Sequence, residues 1–205
     1  MARHPAMDLI PEDDNCRRFL IARGKAIQTY SEYEQSLAEL YAFLTGQNRD
    51  IAGISFFRFN QGRIRADILE KLIVKKCGDT YKTTYKQFWD SLASNLLDVD
   101  QTRNQIVHWG TVVFCKTDRP EATLKLTPPN FWDWVETMRE TVITENDLYN
   151  FISKCSFFGG VVNIFRTVIS GVPAELASTW RDICLQAITY PPPDTHPLAS
   201  QRRKS

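Results

Sequence analysis

Residues 80–108 read TYKTTYKQFWDSLASNLLDVDQTRNQIVH, and this stretch decides the predicted fold. Large apolar side chains recur along it at three- and four-residue steps, which is the period of one face of an α-helix. They belong to Tyr85, Phe88, Trp89, Leu92, Leu96, Val99 and Ile106. The spacing predicts a long amphipathic helix from about Thr80 to His108, with one face turned towards a core.

Two further helical patterns precede this stretch. The first begins at an N-cap among residues 13–15 and ends before Gly46. The second covers about Ile54 to Lys76. Its apolar stripe consists of Phe57, Ile64, Ile68, Leu69, Leu72 and Ile73. Three helices joined by short polar links predict an antiparallel bundle, so the expected fold class is mainly α.

The pattern changes after Trp109. Two short β-rich runs, separated by a polar link, predict a small β-hairpin inserted over about residues 111–127. Pro128-Pro129-Asn130 is expected to open a fourth helix. The predicted organisation is a flexible N-terminal arm (residues 1–14), a helical bundle that contains the hairpin (15–158), extra C-terminal helices packed on it (159–190) and a disordered tail (191–205).

Composition narrows the function classes. Lysine and arginine total 25 against 24 acidic residues, which argues against a protein that coats nucleic acid non-specifically. Five scattered cysteines, none in a C-x-x-C pair, argue against a disulfide framework and a structural zinc site. The sequence predicts a cytoplasmic protein with reduced thiols, no signal peptide and no segment of membrane-span length.

Histidine is scarce, and one histidine stands out. His4 and His196 lie in the predicted flexible ends, so His108 is the one expected in the folded body. It follows Arg103 by five residues, and Asn104 comes directly after that arginine. At about 100° per residue, Asn104 and His108 lie within roughly 40° of each other on a helix face. The long side chain of Arg103 can reach the same rim of the helix.

These three residue types suit the cleavage of RNA, which carries its own nucleophile in the 2′-hydroxyl group. An imidazole titrates near neutrality and can act as base or acid, and a guanidinium binds phosphate oxygens in a planar fork. Asn104 is expected to orient the imidazole or to bind a phosphate oxygen. The competing interpretation of His108 is an imidazole that interacts with the last carbonyl groups of its helix.

The stretch Thr102–Gly110 resembles the R-x4-6-H signature of the HEPN superfamily, in which a polar residue, often Asn, follows the arginine. The order of helices over about residues 25–155 is similar as well. The resemblance implies a HEPN-like helical homodimer with metal-independent endoribonuclease activity in toxin–antitoxin, anti-phage or RNA-processing systems. It also implies that Arg103, Asn104 and His108 are catalytic, and that no metal or cofactor is needed. Gly110 stands where some toxin-type members have Tyr.

Weaker candidates and alternatives complete the predictions. Arg58, Arg63 and Arg65 are interpreted either as a solvated helix face or as substrate-binding residues that attract phosphate. Glu34 on the first helix is a candidate for the same cleft. The expected partners are RNA, a second copy of the chain and an antitoxin or regulatory protein, without a membrane. The alternative function is a non-catalytic dimer that binds RNA, a nucleotide or a partner protein. A third hypothesis is a helical scaffold.

Overall fold

The computed structural model describes residues 14–115, 122–128, 142–171, 174–196, 198 and 199. The fold is mainly α-helical with one small antiparallel hairpin, which confirms the predicted fold class. Its elements are α1 (Asp14–Thr45), α2 (Arg49–Phe56), α3 (Gly62–Cys77), a π-helical turn (Tyr81–Tyr85), α4 (Lys86–His108), β1 (Gly110–Cys115), β2 (Ala122–Thr127), α5 (Glu145–Gly171) and α6 (Ala174–Cys184). Residues 1–13 of the predicted arm and residues 129–141 lie outside the described residues. The predicted fourth helix was expected to continue through Val142 to Phe151, which is wrong at residues 142–144: Ile143 pairs with Leu126, and the helix that contains Phe151 begins at Glu145.

The chain divides into two compact units. Unit 1 comprises residues 1–30 and 101–153, and unit 2 comprises residues 31–100 and 154–205. The boundary predicted between residues 158 and 159 is wrong, because it falls inside α5. Gly159 continues that helix in unit 2, and a Cβ atom there would lie 3.4 Å from Ser36 Oγ of α1. The small residue therefore allows two helix backbones to approach each other.

The core of unit 1 joins the hairpin to helical residues. The two strands pair in antiparallel register from Gly110 opposite Thr127 to Cys115 opposite Ala122, close to the predicted span. Backbone hydrogen bonds of 3.0 Å in both directions link Leu126 to Ile143, just before α5 begins. The buried apolar side chains of this unit are those of Cys16, Phe19, Ala22, Ala26, Tyr30, Ile106, Leu124, Leu126, Ile143, Leu148 and Phe151.

The core of unit 2 is rich in aromatic rings. Phe165 of α5 packs against Phe88 and Trp89 of α4, with ring centroids 5.0 and 6.1 Å apart, respectively. All three side chains are fully buried. Burying such a side chain stabilises a fold by about 1.5–3 kcal/mol. The periodic pattern that predicted α4 therefore corresponds to a real buried face.

Helix α5 is long and apolar enough to cross a membrane when judged by length and composition alone. Its most apolar 18-residue window has a mean hydropathy of 1.2, and 39% of that window is buried in the fold. The expectation that no segment reaches membrane-span length was therefore wrong. Core side chains such as Phe158, Val161 and Phe165 account for this apolar composition.

The predicted second helix is two helices. Helix α2 ends at Phe56, and α3 begins at Gly62. Arg65 stabilises the non-helical link between α2 and α3, because its Nε donates to the carbonyl of Phe59 at 2.7 Å. Phe57 and Ile64, which the sequence placed on the core stripe, are exposed instead. The apolar stripe thus crosses a break in the helix, and this part of the prediction was wrong.

The predicted disordered tail begins too early. Residues 190–196 continue the described part of unit 2, and the rings of Tyr190 and Phe157 lie 5.5 Å apart. His196 and Leu198 are buried, and the backbone N–H of Leu198 donates to His196 Nδ1 at 3.2 Å. His196 therefore belongs to the folded body, contrary to the prediction. Residues 200–205 lie outside the described residues.

The buried imidazole predicts how stability depends on pH. Burial lowers the pKa of His196 below its usual value. The unfolded chain thus takes up a proton where the folded chain does not. This contribution to stability is fully present above the unfolded-state pKa, about 6.5, and is lost as the pH falls from there through the folded-state pKa.

We expect urea unfolding at pH 8 and pH 5 to show a smaller pH effect in His196→Asn than in the wild type. His108→Gln is the control, and an equal reduction in both variants would contradict this assignment.

Candidate catalytic site at the end of helix α4

The last two turns of α4 carry the motif predicted to be catalytic. The helix ends at His108, and the backbone N–H of Trp109 still donates to Gln105 at 2.9 Å. Gly110 then begins β1, so the chain passes from helix to strand within two residues. Such an end leaves several carbonyl groups without partners inside the helix. They need donors from elsewhere in the fold.

Arg23 of α1 supplies these donors. Its Nε donates to the carbonyl of Ile106 at 3.0 Å, and its Nη2 donates to the carbonyls of Val107 and Trp109, each at 3.2 Å. Its Nη1 donates to Thr111 Oγ1 at 2.9 Å. Burial lowers the pKa of the guanidinium, which still stays charged at any ordinary pH. A fixed positive charge therefore caps the negative end of the α4 dipole and ties it to β1.

Arg103 is held by two contacts. Its guanidinium carbon lies 5.2 Å from the centroid of the Tyr30 ring, a cation–π contact with a buried aromatic side chain. Its Nη1 donates to Asn104 Oδ1 at 3.0 Å. The cation is half-buried and oriented, while Asn104 remains exposed. Asn104 therefore orients Arg103, and its amide nitrogen makes no hydrogen bond to the described part of the chain.

His108 lies one helical turn after Asn104 and is exposed to solvent. Its imidazole makes no hydrogen bond within the described residues, so the expected contact with Asn104 is not formed. The competing interpretation had His108 interacting with the last carbonyls of the helix. Arg23 binds the carbonyls on both sides of it, those of Ile106, Val107 and Trp109. Within the described residues the imidazole therefore has no hydrogen-bond partner, and it is exposed to solvent.

No protein-family model, curated protein or solved structure matches this chain.

The four weaker candidates all belong to unit 2. Arg65 forms an ion pair with Glu34 across α3 and α1, and both side chains are largely buried. The guanidinium of Arg65 also lies over the rings of Phe56 and Phe57. These contacts give Arg65 and Glu34 a structural task. The side chains of Arg58 and Arg63 are exposed and are free to meet a partner or substrate. Neither one is in the unit that contains His108.

The residues that the structure describes contain no cluster of potential metal ligands. No group of three or more His, Cys, Asp and Glu side chains there is close enough to hold a metal ion. The end of α4 offers one imidazole, one amide and one guanidinium. A guanidinium cannot ligate a metal, but it can bind a phosphate.

Arg23 is the site residue that the sequence reasoning missed. Its hydrogen-bond partners lie 83–88 positions away in the chain, so no local pattern could place them. One signal was present nevertheless. Arg23 lies between Ala22 and Ala26 and one turn after Phe19, and all three of these residues are fully buried. A cation on an apolar helix face is a sign that it binds a specific acceptor.

Proposed function

We propose that this chain is a HEPN-type, metal-independent endoribonuclease in which two copies each contribute Arg103, Asn104 and His108 to one cleft. The observation that supports the proposal is an exposed imidazole that has no hydrogen-bond partner within the described residues and lies five residues after Arg103, whose guanidinium Tyr30 and Asn104 hold in place. The helix end that presents both groups is rigidly capped by Arg23. Catalysis requires this kind of fixed presentation.

The reaction would begin with the 2′-hydroxyl group of a ribose. One imidazole accepts its proton while the oxygen attacks the neighbouring phosphorus atom. The bond from phosphorus to the 5′-oxygen breaks, and a second, protonated imidazole donates a proton to that oxygen. The products are a 2′,3′-cyclic phosphate and a 5′-hydroxyl group. Because each copy contributes one His108, a dimer would supply both the base and the acid.

The other two residues would act on the phosphate. The guanidinium of Arg103 can bind both non-bridging oxygens, where negative charge accumulates in the transition state. The amide nitrogen of Asn104 can donate a further hydrogen bond, since only its oxygen is engaged by Arg103. This arrangement favours RNA over DNA through the chemistry, because DNA lacks the attacking hydroxyl group.

The test uses an RNA oligonucleotide with one 2′-deoxy nucleotide at a mapped cleavage site. We expect cleavage to stop at that site alone, to continue in EDTA, and to leave a 2′,3′-cyclic phosphate detectable by mass spectrometry. Loss of activity in EDTA, or cleavage at the deoxy position, would overturn the mechanism. If RNA binds but no strand is cut, and binding requires Arg103, the alternative of a non-catalytic RNA-binding dimer replaces it.

A further inference from the structure

Helix α2 of unit 2 exposes an apolar face. Ile51, Ile54 and Phe57 are 60%, 70% and 46% exposed, respectively. The opposite side of the same short helix is fully buried through Ala52 and Phe56. Ile54 is the most exposed large apolar side chain of the described residues. Three such side chains on one helix face are typical of a surface that another molecule covers.

Two opposite charges flank this face. Asp50 lies in the first turn of α2 and Arg58 follows its last turn, and both are exposed. Neither side chain forms an ion pair within the described part of the chain. They are eight residues apart, about 12 Å along a helix, which is too far for a pair within one molecule. The backbone N–H of Arg58 donates to Ser55 at 3.2 Å, so the helical turn extends to this residue.

The five positions are arranged symmetrically about Ile54. Ile51 and Phe57 each lie three residues from it, and Asp50 and Arg58 each lie four residues from it. All five fall within about 60° of the direction of Ile54 at 100° per residue. When two such helices pack antiparallel across a two-fold axis at Ile54, Ile51 of each helix lies opposite Phe57 of the other. At the same time, the carboxylate of Asp50 comes within reach of Arg58.

We propose that the α2 face (Asp50, Ile51, Ile54, Phe57 and Arg58) binds the same face of a second copy of this chain, antiparallel and about a two-fold axis at Ile54. An isologous contact requires a self-complementary surface, in which each group meets its complement when the surface is rotated. The α2 face has this property for both its apolar groups and its charges. A different partner would have no need for this symmetry.

The face is also preorganised at its largest side chain. The ring of Phe57 lies edge-on to the buried ring of Phe56, with centroids 5.7 Å apart. The guanidinium of Arg65 lies 5.9 Å from the centroid of the Phe57 ring, and that arginine is itself paired with Glu34. Little conformational freedom of this ring remains to be lost on binding. A single short helix covers a small area, so we expect a weak dimer with a micromolar dissociation constant.

A charge exchange tests the geometry. We expect Asp50→Arg and Arg58→Asp each to raise the dimer dissociation constant at least about tenfold, because like charges then meet across the axis. The two variants should associate with each other when mixed, since each then faces its opposite charge. The double variant should also dimerise. Sedimentation velocity on the full chain over a micromolar range measures all four cases.

Two further variants separate the interface from general effects. Ile54→Glu places two carboxylates at the axis and should abolish association through the α2 face, while Leu185→Glu, at a side chain 50% exposed elsewhere in unit 2, should leave this association intact. Far-UV circular dichroism checks that each variant is folded. A monomeric wild type, a failure of the mixed variants to associate, or equal dissociation by Leu185→Glu would overturn the proposal. The measured quantity is mass, so loss of the proposed RNA cleavage has no bearing on it.

Discussion

Replacing His108 with Gln is expected to lower the rate of RNA cleavage by about 10²- to 10⁴-fold, the usual contribution of a general acid or base. The side chain keeps roughly its size and its polarity but can no longer act as a base or an acid. Because His108 is exposed and makes no hydrogen bond within the described residues, the free energy of unfolding should not change. Single-turnover cleavage of a labelled RNA and urea unfolding measure the two quantities.

The matched control is Lys25→Ala in the same unit. Lys25 is an exposed cation of α1, so its loss reports any general attraction between the protein and RNA. We expect this variant to cleave at the wild-type rate. His108→Gln should still bind RNA, since Arg103 remains in its contact with Tyr30. A His108→Gln variant that cleaves as fast as the wild type would exclude the imidazole from the chemistry.

The helices were predictable where one local period described one continuous element. The apolar steps predicted the end of α4 and its buried face, although residues 81–85, which were expected to belong to it, form a π-helical turn. The hairpin followed from the change to β-rich runs. The apolar period mispredicted the ends of helices where tertiary contacts interrupted or extended the helix. The apolar pattern from Phe57 to Ile64 continues across the link between α2 and α3, where Arg65 binds the carbonyl of Phe59. The boundary predicted between residues 158 and 159 falls inside α5, which continues through Gly159 and Gly160 because a packed helix tolerates glycine.

The position of the candidate site was predictable from the sequence, but the contacts that hold its side chains in place were not. Helical geometry alone placed Asn104 and His108 on one rim, and the structure leaves both exposed there. The contacts that hold the site come from residues distant in the chain, Arg23 and Tyr30 of α1. The same holds for the tail, where His196 is buried by contacts with residues such as Phe157. Long-range contacts of this kind leave no periodic trace in a sequence.

Replacing Arg23 with Met is expected to lower the free energy of unfolding by about 2–3 kcal/mol, since hydrogen bonds to a charged donor are lost and half-buried acceptors remain. Three carbonyl groups and the Thr111 hydroxyl group depend on this one guanidinium. Met keeps the unbranched aliphatic stem and removes only the donors. RNA cleavage should fall as well, although Arg23 need not touch the substrate, because the helix end that presents His108 loses its cap. Urea unfolding and cleavage below the unfolding transition measure the two effects.

Arg23→Lys separates the two effects of Arg23. An ammonium group keeps the positive charge near the end of α4 but cannot reach four acceptors from one planar fork. We expect an intermediate stability and, in hydrogen exchange, faster exchange of the amides of residues 105–111 than of the remaining helix. The matched control is Arg17→Met, at an exposed position of α1, which should change neither quantity. If Arg23→Met unfolds at the wild-type urea concentration, the cap contributes no stability, and the fixed presentation of Arg103 and His108 loses its physical basis.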